Sequence, residues 1–332
     1  MKKWLLMEAL ILAVVLLAAV GICIALPAFS GHTLQPPAQM QADTGQTTQT
    51  TTQATTEPAP TWMTLPEDRA LTAQKAFVYD CETDTFPFLL GEPDERIYPA
   101  SITKLFTAYV SLQFLTPDRL IQAGDVLDLV GAGSSVAGIE KGDVLSVQML
   151  VEAMLLPSGN DAAYILADAA GKAIKGTDNM TGSAAVAAFL KEMNRQAKEM
   201  GMTGTNFVNP DGYHRNNHYT TFADMAILAE AVLENETIMN YASESHAEVT
   251  FENGVTKQWK NTNYLVDPTS EFYCPIATGL KTGQTPSAGS CLLSAFATDG
   301  RSLVIGVFGC PEIPDRFADT LQLLNKTLGT GE

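Results

Sequence analysis

The stretch GSCLLSAFATDGRSLVIGVFG, residues 289–309, contains two apolar, strand-like runs on either side of an Asp-Gly pair. Asp-Gly between two such runs is a strong signal for a two-residue hairpin turn. We therefore expect residues 289–298 and residues 302–309 to form an antiparallel hairpin, with Asp299 and Gly300 at its turn.

Further strand patterns lie near both ends of the folded region, and helical patterns lie between them. Residues 76–90 predict a strand, a turn and a second strand, and residues 274–280 predict another strand. Apolar residues at helical spacing predict helices in the middle of the chain, at residues 101–115, 146–156, 160–172, 183–200 and 221–235. A last helix, residues 315–328, has one apolar face, formed by Phe317, Leu321, Leu324 and Leu328. Strands from both chain ends around a helical block predict an α+β fold whose central antiparallel sheet has about five strands.

The chain has 332 residues, and its first part differs in composition from the rest. Residues 1–26 contain a long apolar run after Lys2 and Lys3, which predicts a transmembrane signal-anchor with the N-terminus inside the cell. A cleaved signal peptide is the alternative for this segment. Residues 27–66 are rich in Thr, Gln and Pro and predict a disordered linker. Residues 67–332 are left for the folded domain.

The chain carries 20 basic and 37 acidic residues, for a net charge of −17. This balance, without a basic stripe, argues against a nucleic-acid partner. His214 and His218 are four residues apart, but they lie in an Asn-rich stretch with no evident third ligand, so we interpret them as loop residues. The sequence therefore predicts no bound metal and no cofactor.

Four cysteines follow the predicted linker, Cys81, Cys274, Cys291 and Cys310. In an exported chain they could pair in three ways. The hairpin register places Cys291 opposite Phe308, with Cys310 diagonal to Cys291 on the same face. Diagonal Cβ atoms are too far apart for an easy disulfide, so we expect this pair to be free and leave the other pairings open.

Residues 98–110, YPASITKLFTAYV, place a serine three residues before a lysine at a predicted helix start. On a helix, Ser101 and Lys104 share a face. Taken alone, the stretch has a structural explanation, in which Pro99 ends the preceding segment and Ser101 caps the helix.

Two later stretches carry polar residues at predicted element boundaries. PSGND, residues 157–161, follows one predicted helix and begins the next, which is typical of turn and cap residues such as Ser158 and Asn160. GLKTGQT, residues 279–285, closes an apolar strand pattern, which is typical of a strand that ends in a turn. Neither stretch alone indicates a function.

Together, the three stretches form an ordered set: Ser-x-x-Lys, then Ser-x-Asn, then Lys-Thr-Gly. This set resembles the signature of penicillin-binding proteins and serine β-lactamases. The segments RIYPASITK, MLLPSGNDAA, NPDGYHRNNHYTT and GLKTGQTPSAG further resemble the D-alanyl-D-alanine carboxypeptidases of peptidase family S11, the low-molecular-mass penicillin-binding proteins. This resemblance covers nearly all of residues 70–328, and it implies a β-lactamase/transpeptidase-like fold.

The resemblance also implies an activity for residues 67–332. The enzyme is expected to be a serine D-alanyl-D-alanine carboxypeptidase that removes the terminal D-Ala from peptidoglycan stem pentapeptides through an acyl-enzyme. Such enzymes take part in peptidoglycan biosynthesis and help to determine cell shape. β-Lactam antibiotics such as penicillin acylate the same serine. The enzyme is expected on the outer face of the bacterial cell membrane, attached by its N-terminal segment, or secreted if the signal is cleaved. Endopeptidase side activity, the preferred peptidoglycan type and the oligomeric state are left open by the sequence.

The catalytic roles follow from this resemblance. Ser101 is expected to be the nucleophile and Lys104 its base, because a serine hydroxyl reacts only when a base removes its proton. Burial, the positive end of the helix and a second cation, Lys281, favour the neutral form of Lys104. Ser158 is expected to connect the two lysines and to pass the proton to the leaving amine.

The other predicted site residues bind the substrate. Asn160 is expected to hold the substrate amide, and the backbone N–H groups of Ser101 and Gln284 are expected to form the oxyanion hole. Gly283 is expected to let the substrate backbone approach. The carboxylate of the terminal D-Ala is expected to be bound by three residues, Lys281, Thr282 and, on the last helix, Arg316.

Two features depart from many relatives. Gln284 stands where histidine is common in relatives. Only its backbone N–H is expected to act in the oxyanion hole, so the difference is expected to affect substrate preference and not activity. Relatives often continue into a β-rich second domain and a membrane helix, whereas this chain stops at Glu332, so the N-terminal segment is expected to replace that anchor.

Three alternative functions share parts of this pattern. A class A-like β-lactamase needs a carboxylate-bearing loop that activates a deacylating water. Glu192, Glu199 and Asp211 lie between the second and third motifs, but no segment resembles that loop, and Ser-Gly-Asn replaces Ser-Asp-Asn. A non-catalytic β-lactam or cell-wall binding module could keep the fold, but the retention of every polar motif residue in this sequence argues against it. A zinc D,D-peptidase would need His and carboxylate ligands that the sequence does not supply.

Overall fold

The computed structural model describes residue 63, residues 69–298 and residues 300–330, all of which belong to one unit of the chain. The predicted signal-anchor at residues 1–26 and all of the predicted linker except Met63 lie outside this described part. Among the described residues, none of the helices combines the length and the apolar character that a membrane crossing requires.

Nine strands and seven α-helices make up the described part of the chain. The strands are β1 (Lys75–Asp80), β2 (Thr85–Leu90), β3 (Leu120–Gln122), β4 (Val144–Ser146), β5 (His246–Thr250), β6 (Thr256–Lys260), β7 (Ala277–Thr285), β8 (Gly289–Thr298) and β9 (Arg301–Cys310). The helices are α1 (Thr103–Ser111), α2 (Val147–Leu155), α3 (Asn160–Lys175), α4 (Gly182–Glu199), α5 (Phe222–Leu233), α6 (Glu236–Ser243) and α7 (Ile313–Leu328).

The central sheet has five antiparallel strands in the order β2-β1-β9-β8-β7. β1 pairs with β9 from the C-terminal part of the chain, β2 extends the sheet beyond β1, and helices α1 to α6 lie between β2 and β7 in sequence. The predicted α+β fold, with one sheet built from both chain ends, is therefore confirmed.

The predicted register of the β8–β9 hairpin is confirmed from Thr298 to Leu292. A bulge beyond Leu292 then pairs Ser290 with Cys310. Because of this shift, Cys310 packs in the core between the sheet and α7, whereas Cys291 packs in the core on the other side of the sheet. The prediction that these two cysteines share a face is wrong. All four cysteines of the described part are free thiols.

Two boundaries differ from the prediction in ways that affect the motif residues. The predicted helix at residues 101–115 begins as a 3₁₀ turn, Ala100–Ile102, and continues as the shorter α1. The predicted strand at residues 274–280 is instead β7, which continues through Lys-Thr-Gly to Thr285. The third motif therefore lies inside an edge strand rather than at the turn that follows it.

The sequence analysis missed α6 and two small hairpins, β3–β4 and β5–β6. Strands β5 and β6 expose most of their residues and contain few apolar side chains, so the alternation that predicts a strand is weak. Trp259 in β6 is buried, and its indole N–H donates to the carbonyl of Ala137 at 3.0 Å. This contact joins the β5–β6 hairpin to the loop that precedes β4.

Both faces of the central sheet are covered. One face packs against the helical block, where the rings of Phe77 and Phe222 lie 5.3 Å apart between centroids. The other face packs against α7 through the predicted apolar residues, of which three are fully buried and the last is half-buried, Phe317, Leu321, Leu324 and Leu328. The predicted apolar face of the last helix is therefore confirmed.

Candidate active site

Ser101 and Lys104 form the first contact of the candidate site. Ser101 lies in the 3₁₀ turn Ala100–Ile102, and Lys104 lies in the first turn of α1. The Lys104 ammonium donates to the Ser101 hydroxyl at 2.7 Å. Helix α1 begins after Ile102 and makes no side-chain capping bond there, so the interpretation of Ser101 as a helix cap is wrong. Its hydroxyl faces the lysine instead.

Lys104 is fully buried, and its second hydrogen bond goes to the main-chain carbonyl of Asp211 at 2.8 Å. Burial lowers the pKa of Lys104 to about 8, because the charged form loses its hydration, while the carboxylates of Asp211 and Asp161 act in the opposite direction. A lysine with this pKa has a substantial neutral fraction near neutral pH. In its neutral form it can accept the Ser101 proton across the same contact.

Lys281 brings a second buried ammonium to the site from the edge strand β7. It donates to the hydroxyls of Thr262 at 3.2 Å and Thr282 at 3.3 Å, and these two hydroxyls lie 2.6 Å from each other. Burial lowers the pKa of Lys281 well below its usual value, and the positive charges of Lys104 and Arg316 lower it further. Thr262 had no signal in the sequence, since it lies in an unremarkable polar stretch before the 3₁₀ turn Tyr264–Val266.

The second motif lies in the short connection between α2 and α3. Ser158 is buried and has a left-handed backbone with φ of 65°. Asn160 is the first residue of α3, and its Oδ1 is buried without a hydrogen-bond partner in the described part of the chain. The N-cap of α3 is Gly159, so the interpretation of Ser158 and Asn160 as cap residues is wrong.

Asp161, next to the second motif, fixes a loop at the edge of the site. Its buried carboxylate accepts four backbone N–H groups at 2.9–3.0 Å, those of Ala137, Gly138, Ile139 and Ala162. The same loop supplies Gly133 and Ser135 to the cavity described below. Sequence reasoning missed this role, because the loop and the carboxylate are about twenty residues apart with no local pattern between them.

Two glycines enclose the turn that carries Ser101. A Cβ atom at Gly212, whose φ is 81°, would lie 1.8 Å from the Ala100 carbonyl oxygen. A Cβ atom at Gly283 would lie 2.9 Å from the Pro99 carbonyl oxygen and 3.1 Å from the Ser101 nitrogen. The absence of a side chain at Gly283 thus lets β7 approach the turn that carries Ser101. This is a structural reason for glycine at this position, in addition to its predicted role toward the substrate.

The loop that contains Gly212 follows the length of α1. Pro210 accepts from the Thr107 hydroxyl at 2.6 Å through its carbonyl, and the Asp211 carbonyl accepts from Lys104. The Asn209 side chain holds the loop by accepting from the Gly212 N–H at 2.8 Å. This segment was part of the sequence resemblance without an assigned role, and the structure shows that it supports the Ser101 turn and the lysine.

His218 lies in the same region and supports α1 rather than a metal. It is buried, its Nδ1 accepts from the Val208 N–H at 3.2 Å, and its Nε2 lies 2.8 Å from the Thr103 hydroxyl. Burial lowers the pKa of His218 to about 3, so its ring is neutral. No group of three or more potential metal ligands occurs among the described residues.

These residues surround a cavity of about 620 Å³. Six of the predicted site residues line it, Ser101, Ser158, Thr282, Gly283, Gln284 and Arg316. Of the other three, Lys104 and Lys281 are buried in contact with Ser101 and Thr282, and Asn160 is buried two residues after Ser158 in the chain. No aspartate or glutamate is among the described residues that line the cavity. Glu192 and Glu199 instead pair with Arg195 on α4.

Arg316 reaches the cavity from the first turns of α7. It is buried, one terminal guanidinium nitrogen donates weakly to the Gly283 carbonyl at 3.4 Å, and its Nε has no partner among the described residues. Burial lowers the pKa of Arg316 to about 10, so the guanidinium remains charged at neutral pH. The site thus contains a guanidinium without a carboxylate partner in the described part of the chain.

The Asp211→Asn substitution tests the electrostatic coupling behind Ser101. The Asp211 carboxyl is buried, and burial raises its pKa while the Lys104 charge lowers it. Its carboxylate favours the charged form of Lys104, so its removal is expected to lower the pKa of Lys104. The acidic limb of the pH profile for Ser101 acylation should then move to lower pH by about half a unit or more.

The profile is measured from the second-order rate of acylation by a β-lactam between pH 5 and about 10. Asp128→Asn, at an exposed carboxylate that pairs with Lys141, is the matched control and should leave the profile unchanged. A limb that stays in place in Asp211→Asn, in a folded protein, would contradict the coupling.

A serine that contacts a buried lysine, at the floor of a cavity with further cations, defines a site for nucleophilic acyl transfer. Comparison with known proteins agrees with this class. A family model described as "D-alanyl-D-alanine carboxypeptidase", of peptidase family S11, matches residues 62–312. The chain belongs to this family.

Two curated relatives are similar over most of the described residues. The chain is 30% identical over 249 residues to the D-alanyl-D-alanine carboxypeptidase DacF of Bacillus subtilis, which covers 74% of this chain and 59% of that protein. It is also 30% identical over 241 residues to a D-alanyl-D-alanine carboxypeptidase of Streptomyces sp. strain K15, covering 70% of this chain and 79% of that protein. The chain thus spans about three fifths of the length of the Bacillus relative.

Two solved structures have the same fold. The crystal structure of the Streptomyces K15 DD-transpeptidase matches with a TM-score of 0.69 at 28% identity, covering 79% of this chain and 98% of that one. Penicillin-binding protein D2 of Listeria monocytogenes, in its ampicillin-bound form, matches with a TM-score of 0.62 at 26% identity, covering 77% of this chain and 97% of that one. The expected fold and family are therefore confirmed.

Proposed function

We propose that this chain is a serine D-alanyl-D-alanine carboxypeptidase that acts on peptidoglycan stem peptides. The observation that carries the proposal is the 2.7 Å contact between the Ser101 hydroxyl and the buried Lys104 amine. Histidine, the usual base for a serine nucleophile, is replaced here by a lysine whose pKa is lowered by its burial.

In the acylation step, neutral Lys104 takes the proton of Ser101 as the hydroxyl oxygen attacks the carbonyl of the penultimate D-Ala. The backbone N–H groups of Ser101 and Gln284 are proposed to bind the resulting oxyanion. The proton then passes through Ser158 to the amine of the terminal D-Ala, the C–N bond breaks, and D-Ala leaves. Water repeats the sequence on the ester and restores Ser101.

The charges of the site support a substrate with a free carboxylate. Lys104, Lys281 and Arg316 are all buried around one cavity, and no acidic side chain lines that cavity in the described residues. A substrate carboxylate would compensate the charge of Arg316 and gain hydrogen bonds from Thr282 and Arg316. Asn160, with its unpartnered Oδ1, is proposed to hold the substrate amide.

The same lack of acidic residues on the cavity wall disfavours a class A-like β-lactamase. Such an enzyme needs a carboxylate that activates the deacylating water. Asp211, the only one of the three candidate carboxylates near the motif residues, has a buried side chain that does not line the cavity, and its contact with Lys104 is made by its main-chain carbonyl. β-Lactams are therefore proposed to form a persistent ester with Ser101, and a relative from Listeria is described in an ampicillin-bound form.

Transpeptidation is a second candidate outcome for the acyl-enzyme. The Streptomyces protein with the same fold is described as a DD-transpeptidase. An amine that enters the cavity in place of water would take the acyl group and form a new peptide bond. Carboxypeptidase and transpeptidase activities then differ only in the acceptor, and both use Ser101 and Lys104.

The proposal includes a location outside the cytoplasm. The substrate is a cell-wall peptide, and the apolar run at residues 1–26 is proposed to attach the enzyme to the membrane or to direct its export. The Thr-, Gln- and Pro-rich stretch at residues 27–66 would then act as a spacer between the membrane and the catalytic domain at residues 67–332.

The proposal is tested by intact-mass spectrometry of the protein with benzylpenicillin, together with D-Ala release from a peptide that ends in D-Ala-D-Ala. Wild type should gain one persistent penicilloyl adduct and release D-Ala, whereas Ser101→Ala should do neither. An adduct that disappears as the drug is hydrolysed would indicate a β-lactamase. No adduct in folded wild type would exclude the acyl-enzyme. An added amine acceptor that diverts the product would indicate transpeptidation.

A further inference from the structure

Ser290 is a buried hydroxyl of the cavity wall that the proposed mechanism does not use. It lies at the start of β8, opposite Gln284 of β7, and is 1% exposed. Ser290 is one of the residues that line the cavity, and its buried Oγ has no hydrogen-bond partner within the described part of the chain. A buried hydroxyl without a partner is unfavourable unless a ligand or water satisfies it.

Ser290 and Arg316 belong to the same part of the cavity wall. Ser290 and Arg316 both line the cavity, and Ser290 pairs with Cys310 of β9, the strand that precedes α7. Arg316 also has an unpartnered polar atom, Nε, and forms no ion pair with a described carboxylate. One region of the wall therefore presents an unpartnered hydroxyl and an unneutralised guanidinium together.

At the start of helix α7, a capping box between Glu312 and Asp315 uses the backbone N–H groups of these two residues, and the Glu312 N–H donates to Asp315 at 3.1 Å. These two N–H groups are therefore not free to bind an anion in the cavity. A hydroxyl next to a guanidinium is a donor set that suits a carboxylate, which has two oxygens and accepts only.

We propose that Ser290 binds the terminal carboxylate of the substrate, as a further donor in addition to Thr282 and Arg316. The inference rests on the proposed carboxypeptidase function, since it assigns the position of the carboxylate of the leaving D-Ala. It makes Ser290 a specificity-determining residue that selects substrates with a free C-terminus. The β-bulge between Ser290 and Leu292 shifts the pairing so that Ser290 lies opposite Cys310, which packs on the α7 side of the sheet.

The test compares two peptides that differ only at the C-terminus, an acyl-D-Ala-D-Ala acid and the corresponding C-terminal amide. Ser290→Ala should reduce kcat/KM for the acid about tenfold or more, because a hydrogen bond to a charged group is lost. The reduction should appear mainly in KM, and the amide should change much less. Ser290→Cys keeps most of the side-chain volume, but a thiol is a weak donor. It should therefore also reduce kcat/KM more for the acid than for the amide.

Ser294→Ala is the matched control. Ser294 is a buried serine of the same strand, and its Oγ accepts from the Asn263 side chain at 3.3 Å. This variant should leave the ratio of kcat/KM between the acid and the amide unchanged. An equal loss on both peptides, or no loss on either, would overturn the assignment of Ser290. If wild type is acylated by benzylpenicillin but releases no D-Ala, the proposed function fails, and this failure is seen before any Ser290 variant is measured.

Discussion

Replacing Gly212 with alanine is expected to slow the acylation of Ser101 by about a hundredfold or more. The new Cβ would lie 1.8 Å from the Ala100 carbonyl oxygen and 3.0 Å from the Ser101 nitrogen, so the turn must move. That turn sets both the direction of the hydroxyl and the N–H proposed for the oxyanion. A displacement of about 1 Å at such a site is enough to remove most of its rate.

The matched control is Gly254→Ala. Gly254 also has a left-handed backbone, with φ of 85°, but no atom lies within 4 Å of its expected Cβ. Both variants therefore carry similar backbone strain, of about 1–2 kcal/mol, and only Gly212→Ala adds the collision. The rate of penicilloyl formation and the melting temperature are measured for both. Equal acylation rates in the two variants would show that Gly212 does not position Ser101.

The sequence was sufficient for features that depend on local pattern. The Asp-Gly turn predicted the β8–β9 register, and the Ser-x-x-Lys spacing predicted that Ser101 and Lys104 share a side of one helix, because helical geometry alone brings such residues together. The predicted register failed beyond Leu292: the expected Cys291–Phe308 pair is absent from the ladder, and Ser290 pairs with Cys310 because a bulge adds a residue to β9. A bulge next to a cavity depends on tertiary contacts, and the sequence had no signal for it.

The parts of the site that the sequence missed are long-range contacts. Gly212 meets Ala100, Asp161 accepts from a loop before β4, and Thr262 meets Lys281. In each case two polar or small residues that are ordinary in their own segment meet only after the chain folds. Their roles resemble turn chemistry when they are read locally, so propensity and spacing could not separate them from other loop residues.

Lys104→Arg should reduce Ser101 acylation by about 10²- to 10⁴-fold, the usual range for loss of a general base. Arginine keeps the positive charge beside Lys281 and Asp211, but its pKa is far higher than that of Lys104, so it cannot take the serine proton near neutral pH. The variant therefore separates the charge of Lys104 from its ability to exchange a proton. The second-order rate of β-lactam acylation at pH 7 to about 9 is the measurement.

The acylation rate of the wild-type enzyme should rise with pH, and Lys104→Arg is expected to lose this rise. Burial lowers the pKa of Lys104 to about 8, so the neutral base accumulates as the pH rises through that value, and acylation should rise with it and then level off. Lys104→Arg should lose this rise. Lys141→Arg, at an exposed lysine that pairs with Asp125 and Asp128, is the matched control and should retain it. If Lys104→Arg were acylated at the wild-type rate with the same pH profile, another group would have to accept the proton. The described residues that contact the Ser101 hydroxyl supply no other amine, imidazole or carboxylate for that role.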